Sequence, residues 1–257
     1  MCQRGGGETN FFTLRWLEST GKTALVLETP DSYVRPVMAP DGQRLATNIK
    51  SNVWVYELQS KRLRQLTFDG GVTYQVWSHD GRYVVFGSNK GGIYWTRADG
   101  AGKPQLLVSG THQQWPWSFT GDGRRLSFQE NRGDTGWDIL TVPIESTGSG
   151  LRAGKPEAFL STQSYERQPS FSPDGRWIAY SSNESGADQV YVKSFPDNGG
   201  KWPVSGPGGL QPVWSWDRHE LFFRNADNQI MVASFTFSGD SFTPGKPWLW
   251  SETRLAN

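Results

Sequence analysis

The chain has 257 residues, with 26 Lys and Arg against 25 Asp and Glu and a formal net charge of +1. That balance excludes the clustered basic excess with which proteins grip nucleic acid or an anionic membrane surface, so neither is an expected partner. The single cysteine, Cys2, excludes an internal disulfide and a cysteine-built zinc site.

No apolar run approaches the roughly 20 residues that span a bilayer. The start, Met1-Cys2-Gln3-Arg4-Gly5-Gly6-Gly7, lacks the hydrophobic middle of a signal peptide. A soluble chain with no membrane insertion is expected. Thirty glycines and 15 prolines suit an architecture that turns every few residues, and 13 tryptophans suit wide packing faces.

In chain order, Leu14-Arg15-Trp16-Leu17 and Ala24-Leu25-Val26-Leu27 come first and read as two strands. Five repeats follow, each marked by one turn: Ala39-Pro40-Asp41-Gly42, Ser78-His79-Asp80-Gly81, Thr120-Gly121-Asp122-Gly123, Ser172-Pro173-Asp174-Gly175 and a degraded Ser215-Trp216-Asp217-Arg218. The aspartates lie 39, 42, 52 and 43 residues apart. Asp-Gly suits such a turn, because Gly takes positive φ freely and the Asp side chain accepts bonds from nearby amides.

Repeat four is the clearest. Gln168 to Ser172 forms a first strand, and Trp177-Ile178-Ala179-Tyr180-Ser181-Ser182 alternates as a second. Gln189-Val190-Tyr191-Val192-Lys193 is a third, and Lys201-Trp202-Pro203-Val204 a short outer fourth. Three residues before each turn aspartate stands a bulky side chain (Met38, Trp77, Phe119, Phe171, Trp214), the column along which radial blades pack.

A period near 40 residues with four strands per unit predicts an all-β propeller of antiparallel blades. We expect a single domain over 1–257, with repeats at about 31–70, 71–110, 111–162, 163–206 and 207–251. The segment 10–30 makes half of a sixth blade. The seven residues after Trp250 are too few for the missing strands, which take about 15 residues. An unpaired edge in that half-blade would dock on neighbouring blades or pair with a second copy in an edge-mediated dimer.

The run from Phe171 to Gly186 resembles the repeat of six-bladed TolB-like β-propellers. Gly92-Ile93-Tyr94-Trp95-Thr96-Arg97-Ala98-Asp99-Gly100 and Gly200-Lys201-Trp202-Pro203-Val204-Ser205 are similar to propellers that follow bacterial serine/threonine protein kinases. The resemblance implies a sensor or protein-interaction module, detached from a larger bacterial protein, in a periplasmic or otherwise extracytoplasmic setting.

Chemistry is sparse in the sequence. No Gly-x-Ser-x-Gly elbow, phosphate-cradling loop or paired-His metal motif occurs. His79 and His219 occupy or adjoin the repeated turns. The segments that begin the first strands gather polar and aromatic residues from every repeat. From them Tyr33, Arg35, Tyr74, Trp115, Glu166, Arg167 and Gln211 are the expected ligand-binding rim, facing a protein or a small polar ligand.

Only Asp31 and Glu166 are acidic there, which argues against a cation cage. No cofactor is expected, and calcium held by acidic and amide oxygens in the channel is the alternative. The alternative function is an esterase, lactonase or glycosidase with His112, Glu166 and Arg167 as its participants. Asn131-Arg132-Gly133-Asp134 reads as a hairpin turn rather than an adhesion motif.

Overall fold

The computed structural model describes residues 2–4 and 11–256. It is all strand and turn, with no helix among the described residues. Each repeat makes one antiparallel sheet whose strands are neighbours in chain order.

Blade one holds Val34–Met38, Arg44–Ile49, Asn52–Glu57 and Arg62–Gln65. Blade two holds Val72–Trp77, Tyr83–Ser88, Ile93–Arg97 and Gln105–Val108. The same order recurs in blade three (Gln114–Phe119, Arg125–Asn131, Trp137–Thr147, Glu157–Leu160) and in blade four (Glu166–Phe171, Trp177–Ser182, Gln189–Ser194, Lys201–Pro203). Blade five is built from Leu210–Trp214, Glu220–Arg224, Gln229–Ser238 and Trp248–Arg254.

The expected half-blade is instead a three-stranded sheet, Cys2–Arg4, Phe12–Leu17 and Thr23–Asp31. Residue 10, where it was expected to begin, lies outside the described residues. The propeller therefore has five complete blades rather than six. Leu14 and Leu27 of this sheet bury against Leu45, Ile49 and Tyr56 of blade one. On the side of blade five, Gly21 comes close to the Thr253 hydroxyl.

The turn motif works through its side chains. Ser78 Oγ donates to Asp80 Oδ1 at 2.6 Å, and the Arg82 amide donates to the same oxygen at 3.0 Å. Thr120 with Asp122 and Ser172 with Asp174 repeat the pair, each at 2.6 Å. The glycine that follows takes φ of 64° to 71° at Gly81, Gly123 and Gly175, the left-handed region only Gly enters freely. Arg132 N donates to Gly136 O at 2.8 Å, closing the expected hairpin turn there.

The long spacing between Asp122 and Asp174 has a structural cause. The third strand of blade three runs on to Thr147 and folds back through Gly150–Ala153. This extra hairpin buries Ile144 and Leu151 beside Trp95 of blade two. Blade five carries an equivalent hairpin at Ser241–Pro244, whose Phe242 packs with Trp177, Trp214 and Phe235.

Candidate functional site: the channel mouth

Six residues before the turn aspartates stand Arg35, Tyr74, Pro116, Gln168 and Gln211. In all five blades the ladder between the first two strands slips here, as at Val34/Val37, Pro116/Ser118 and Arg167/Ser170. Three of the five residues take positive φ: Arg35 at 48°, Gln168 at 60° and Gln211 at 55°. Each of the three precedes a proline, which has no N–H to give to the ladder. A bulge of this kind leaves its residue off the ladder and re-aims the side chain.

Side chains of neighbouring blades satisfy the freed backbone. Gln75 Nε2 donates to Arg35 O at 2.6 Å, tying blade two to blade one. Gln168 N donates to Gln129 Oε1 at 3.0 Å, and Gln211 N donates to Gln168 Oε1 at 2.7 Å, joining blades three, four and five. Trp77 and Trp214, from the packing column, donate their indole N–H to Val37 O and Ser170 O, each at 2.9 Å.

Arg35 does more than line its own blade. Its Nη1 reaches Pro116 O of blade three at 3.3 Å. Its Cζ lies 3.6 Å from the centre of the Trp117 ring and 5.2 Å from that of Tyr74. Tyr74 stands 4.6 Å from Trp115 and 5.3 Å from Trp117, and Trp115 stands 4.1 Å from Trp137. One cation and four aromatic rings from three blades thus form a cluster. Part of the Arg35 side chain is open to solvent, yet burial lowers its pKa to about 9, still charged at neutral pH.

The other expected rim residues divide. Arg167 is ion-paired with Asp188, and Gln211 is exposed beside it in sequence order on the next blade. Glu166 is 2% exposed, with Oε1 accepting from Thr162 Oγ1 at 2.5 Å. Burial raises its pKa, and the neighbouring Asp138 adds to the shift. Tyr33 lies in the hydrophobic cluster under the N-terminal sheet, 5% exposed, its hydroxyl donating to Thr29 O at 2.6 Å. It is not in the Arg35 cluster.

His112 is exposed in the loop before blade three, and no hydrogen bond links it to Glu166 or Arg167. Among the described residues, no group of three or more His, Cys, Asp or Glu side chains is arranged to hold a metal ion.

Sequence reading missed Trp117, Trp137 and Gln168. A signal for the first was present, since Trp115-Pro116-Trp117 sits where other repeats carry a single aromatic residue or none. Two cavities of about 280 Å³ each lie elsewhere, at the Asp-Gly turn end of the blades. Their charges are largely neutralised internally, by Arg44 with Asp41 and Arg97 with Asp99 in one, and by Lys193 with Asp197 in the other. The Arg35 cluster, whose cation meets no carboxylate among the described residues, is the stronger candidate.

No protein-family model matches the chain. It is 26% identical over 240 residues to an uncharacterized protein of Agrobacterium fabrum, covering 86% of this chain and 78% of the relative. It is 24% identical over 228 residues to the Tol-Pal system protein TolB of Francisella tularensis, covering 82% of this chain but only 50% of the relative. Among solved structures, TolB from Acinetobacter baumannii superposes with a TM-score of 0.70 at 19% identity, over 92% of this chain and 61% of that one. The fold shared with these proteins is the TolB-like β-propeller.

Proposed function

We propose that this propeller is a non-catalytic interaction module that binds a partner protein at its channel mouth. The observation that carries the reading is the convergence of Arg35, Tyr74, Trp115 and Trp117 from three separate blades. Aromatic side chains and arginine are the residues that dominate binding energy at protein interfaces. The TolB relatives belong by name to the Tol-Pal system, which supports a protein partner over a small metabolite. The resemblance supports an extracytoplasmic setting and a place within a longer bacterial polypeptide, such as a kinase sensor. Gln211 and Arg167 complete the binding rim on the opposite blades.

Site-specific photocross-linking tests the reading. A photoreactive side chain at Gln211 is expected to capture a protein in the native host, and one at Leu106, on an outer strand, is not. Capture from Leu106 alone would move the interface to the blade edges. The Tyr74→Ala and Trp115→Ala variants are expected to lose the Gln211 adduct while keeping the fold.

A further inference from the structure

The Arg35 guanidinium has five N–H donors, and one of them is used, on the carbonyl of Pro116. No carboxylate pairs with it among the described residues. The other cation of the first strands, Arg167, is matched by Asp188. A partly desolvated cation with no counterion and with unused N–H groups is available to an anionic ligand.

The surroundings repeat the same imbalance. The indole N–H groups of Trp115 and Trp117 are buried and have no acceptor. Stacking over Trp117 and the bond to Pro116 O hold the guanidinium, and the Gln75 bond to Arg35 O holds the backbone beneath it. A guanidinium covered on its face keeps its edge for a planar two-oxygen acceptor.

We infer that the Arg35 corner of the channel mouth is a carboxylate site, filled by an acidic side chain or the C-terminal carboxylate of a peptide segment. This rests on the channel reading above and names the chemistry recognised there. A carboxylate matches a single guanidinium in charge, whereas a phosphate group carries nearly two charges and calls for more donors. The indole rings supply an apolar wall for the flanking side chain.

The test uses the indole N–H resonances of Trp115 and Trp117 in the intact protein. Four probes are titrated at neutral pH: N-acetylphenylalanine, its amide, N-acetylaspartate amide and inorganic phosphate. N-acetylaspartate amide separates a side-chain carboxylate from a terminal one. The free carboxylates are expected to shift both resonances to saturation, with at least tenfold weaker binding to Arg35→Lys and none to Arg35→Gln.

Equal binding of the amide would overturn the carboxylate inference while leaving the channel as an interface. Tighter binding of phosphate would overturn it in favour of a phosphorylated ligand. Failure of all probes on the unmodified protein would also end it, with the cross-linking result standing by itself. If Arg35→Gln does not fold, the comparison of acid with amide on the unmodified protein decides.

Discussion

At Gln168 the backbone turns to φ 60°, and one side-chain oxygen accepts from both Gln211 N at 2.7 Å and Ser181 Oγ at 3.1 Å. Gln168→Ala strands these donors and keeps a Cβ in the left-handed region. Leaving the buried Ser181 hydroxyl unpaired costs about 1–3 kcal/mol, whereas the exposed Gln211 amide can turn to water. Left-handed backbone adds about 1–2 kcal/mol that glycine does not incur. Urea denaturation is therefore expected to show Gln168→Gly less destabilised than Gln168→Ala, although both lose the same bonds. Equal losses would show that the bulge is unstrained.

Two carboxylates should titrate with opposite signs. The Thr120 hydroxyl and the Arg124 amide hold Asp122 below the usual carboxylate range. Its stabilisation is present above the unfolded pKa and is lost as pH falls through the lower folded value. Burial raises Glu166 instead, so the folded protein holds that proton longer than the unfolded chain. Stability therefore falls as pH rises from the ordinary carboxylate value through the raised one. Glu166→Gln is expected to melt higher than the parent at pH 7 and to match it near pH 3. The same advantage at both pH values would mean that charge is not the cause.

Between elements, blades are joined by shared apolar clusters and by specific side-chain bonds. Trp77 and Trp214 occupy the same repeat position and make the same bond to the preceding blade, each at 2.9 Å. Trp77→Phe and Trp214→Phe keep most of the ring and remove the bond, at a cost of about 1 kcal/mol each. Because the two lie in different blades, the double variant should show the sum in denaturant. Gly87 marks a tighter approach: a Cβ there would collide with the Gln114 carbonyl of blade three and with Thr73 Oγ1. Gly87→Ala should destabilise by about 1–3 kcal/mol through overpacking, read as a lower denaturation midpoint.

For the whole molecule, the N-terminal sheet is held by an apolar face rather than by a complete ladder. Leu14 is 2% exposed and packs with Leu27, Leu45, Ile49 and Tyr56. Leu14→Ala should cost about 2–5 kcal/mol through the cavity it leaves. It should also raise light scattering at moderate temperature, because a loosened sheet presents unpaired strand edges. A large loss of stability with no association would show that those edges stay covered.

The turn, the blade and the packing column were legible in the order of the residues. Each depends on neighbours within about ten residues: Asp80 with Ser78 and Arg82, Gly81 with its φ, Trp77 with its strand. Repetition of that local chemistry, five times, was enough to imply the propeller. The aromatic and cationic strand starts were read as a rim on the same ground, since equivalent positions in a ring face one axis.

Which of them meet depends on how the blades come together in space. Arg35 and Pro116 are separated by 81 residues, and nothing local states that one donates to the other. Spacing could not distinguish Tyr33, drawn into the core by the N-terminal sheet, from Tyr74, which packs on tryptophans of another blade. Nor could charge counting distinguish Arg167, neutralised by Asp188 across a hairpin, from Arg35, which no carboxylate among the described residues meets. Pairing of charges is a property of three-dimensional distance, and in a ring of blades that distance is set by closure rather than by sequence separation.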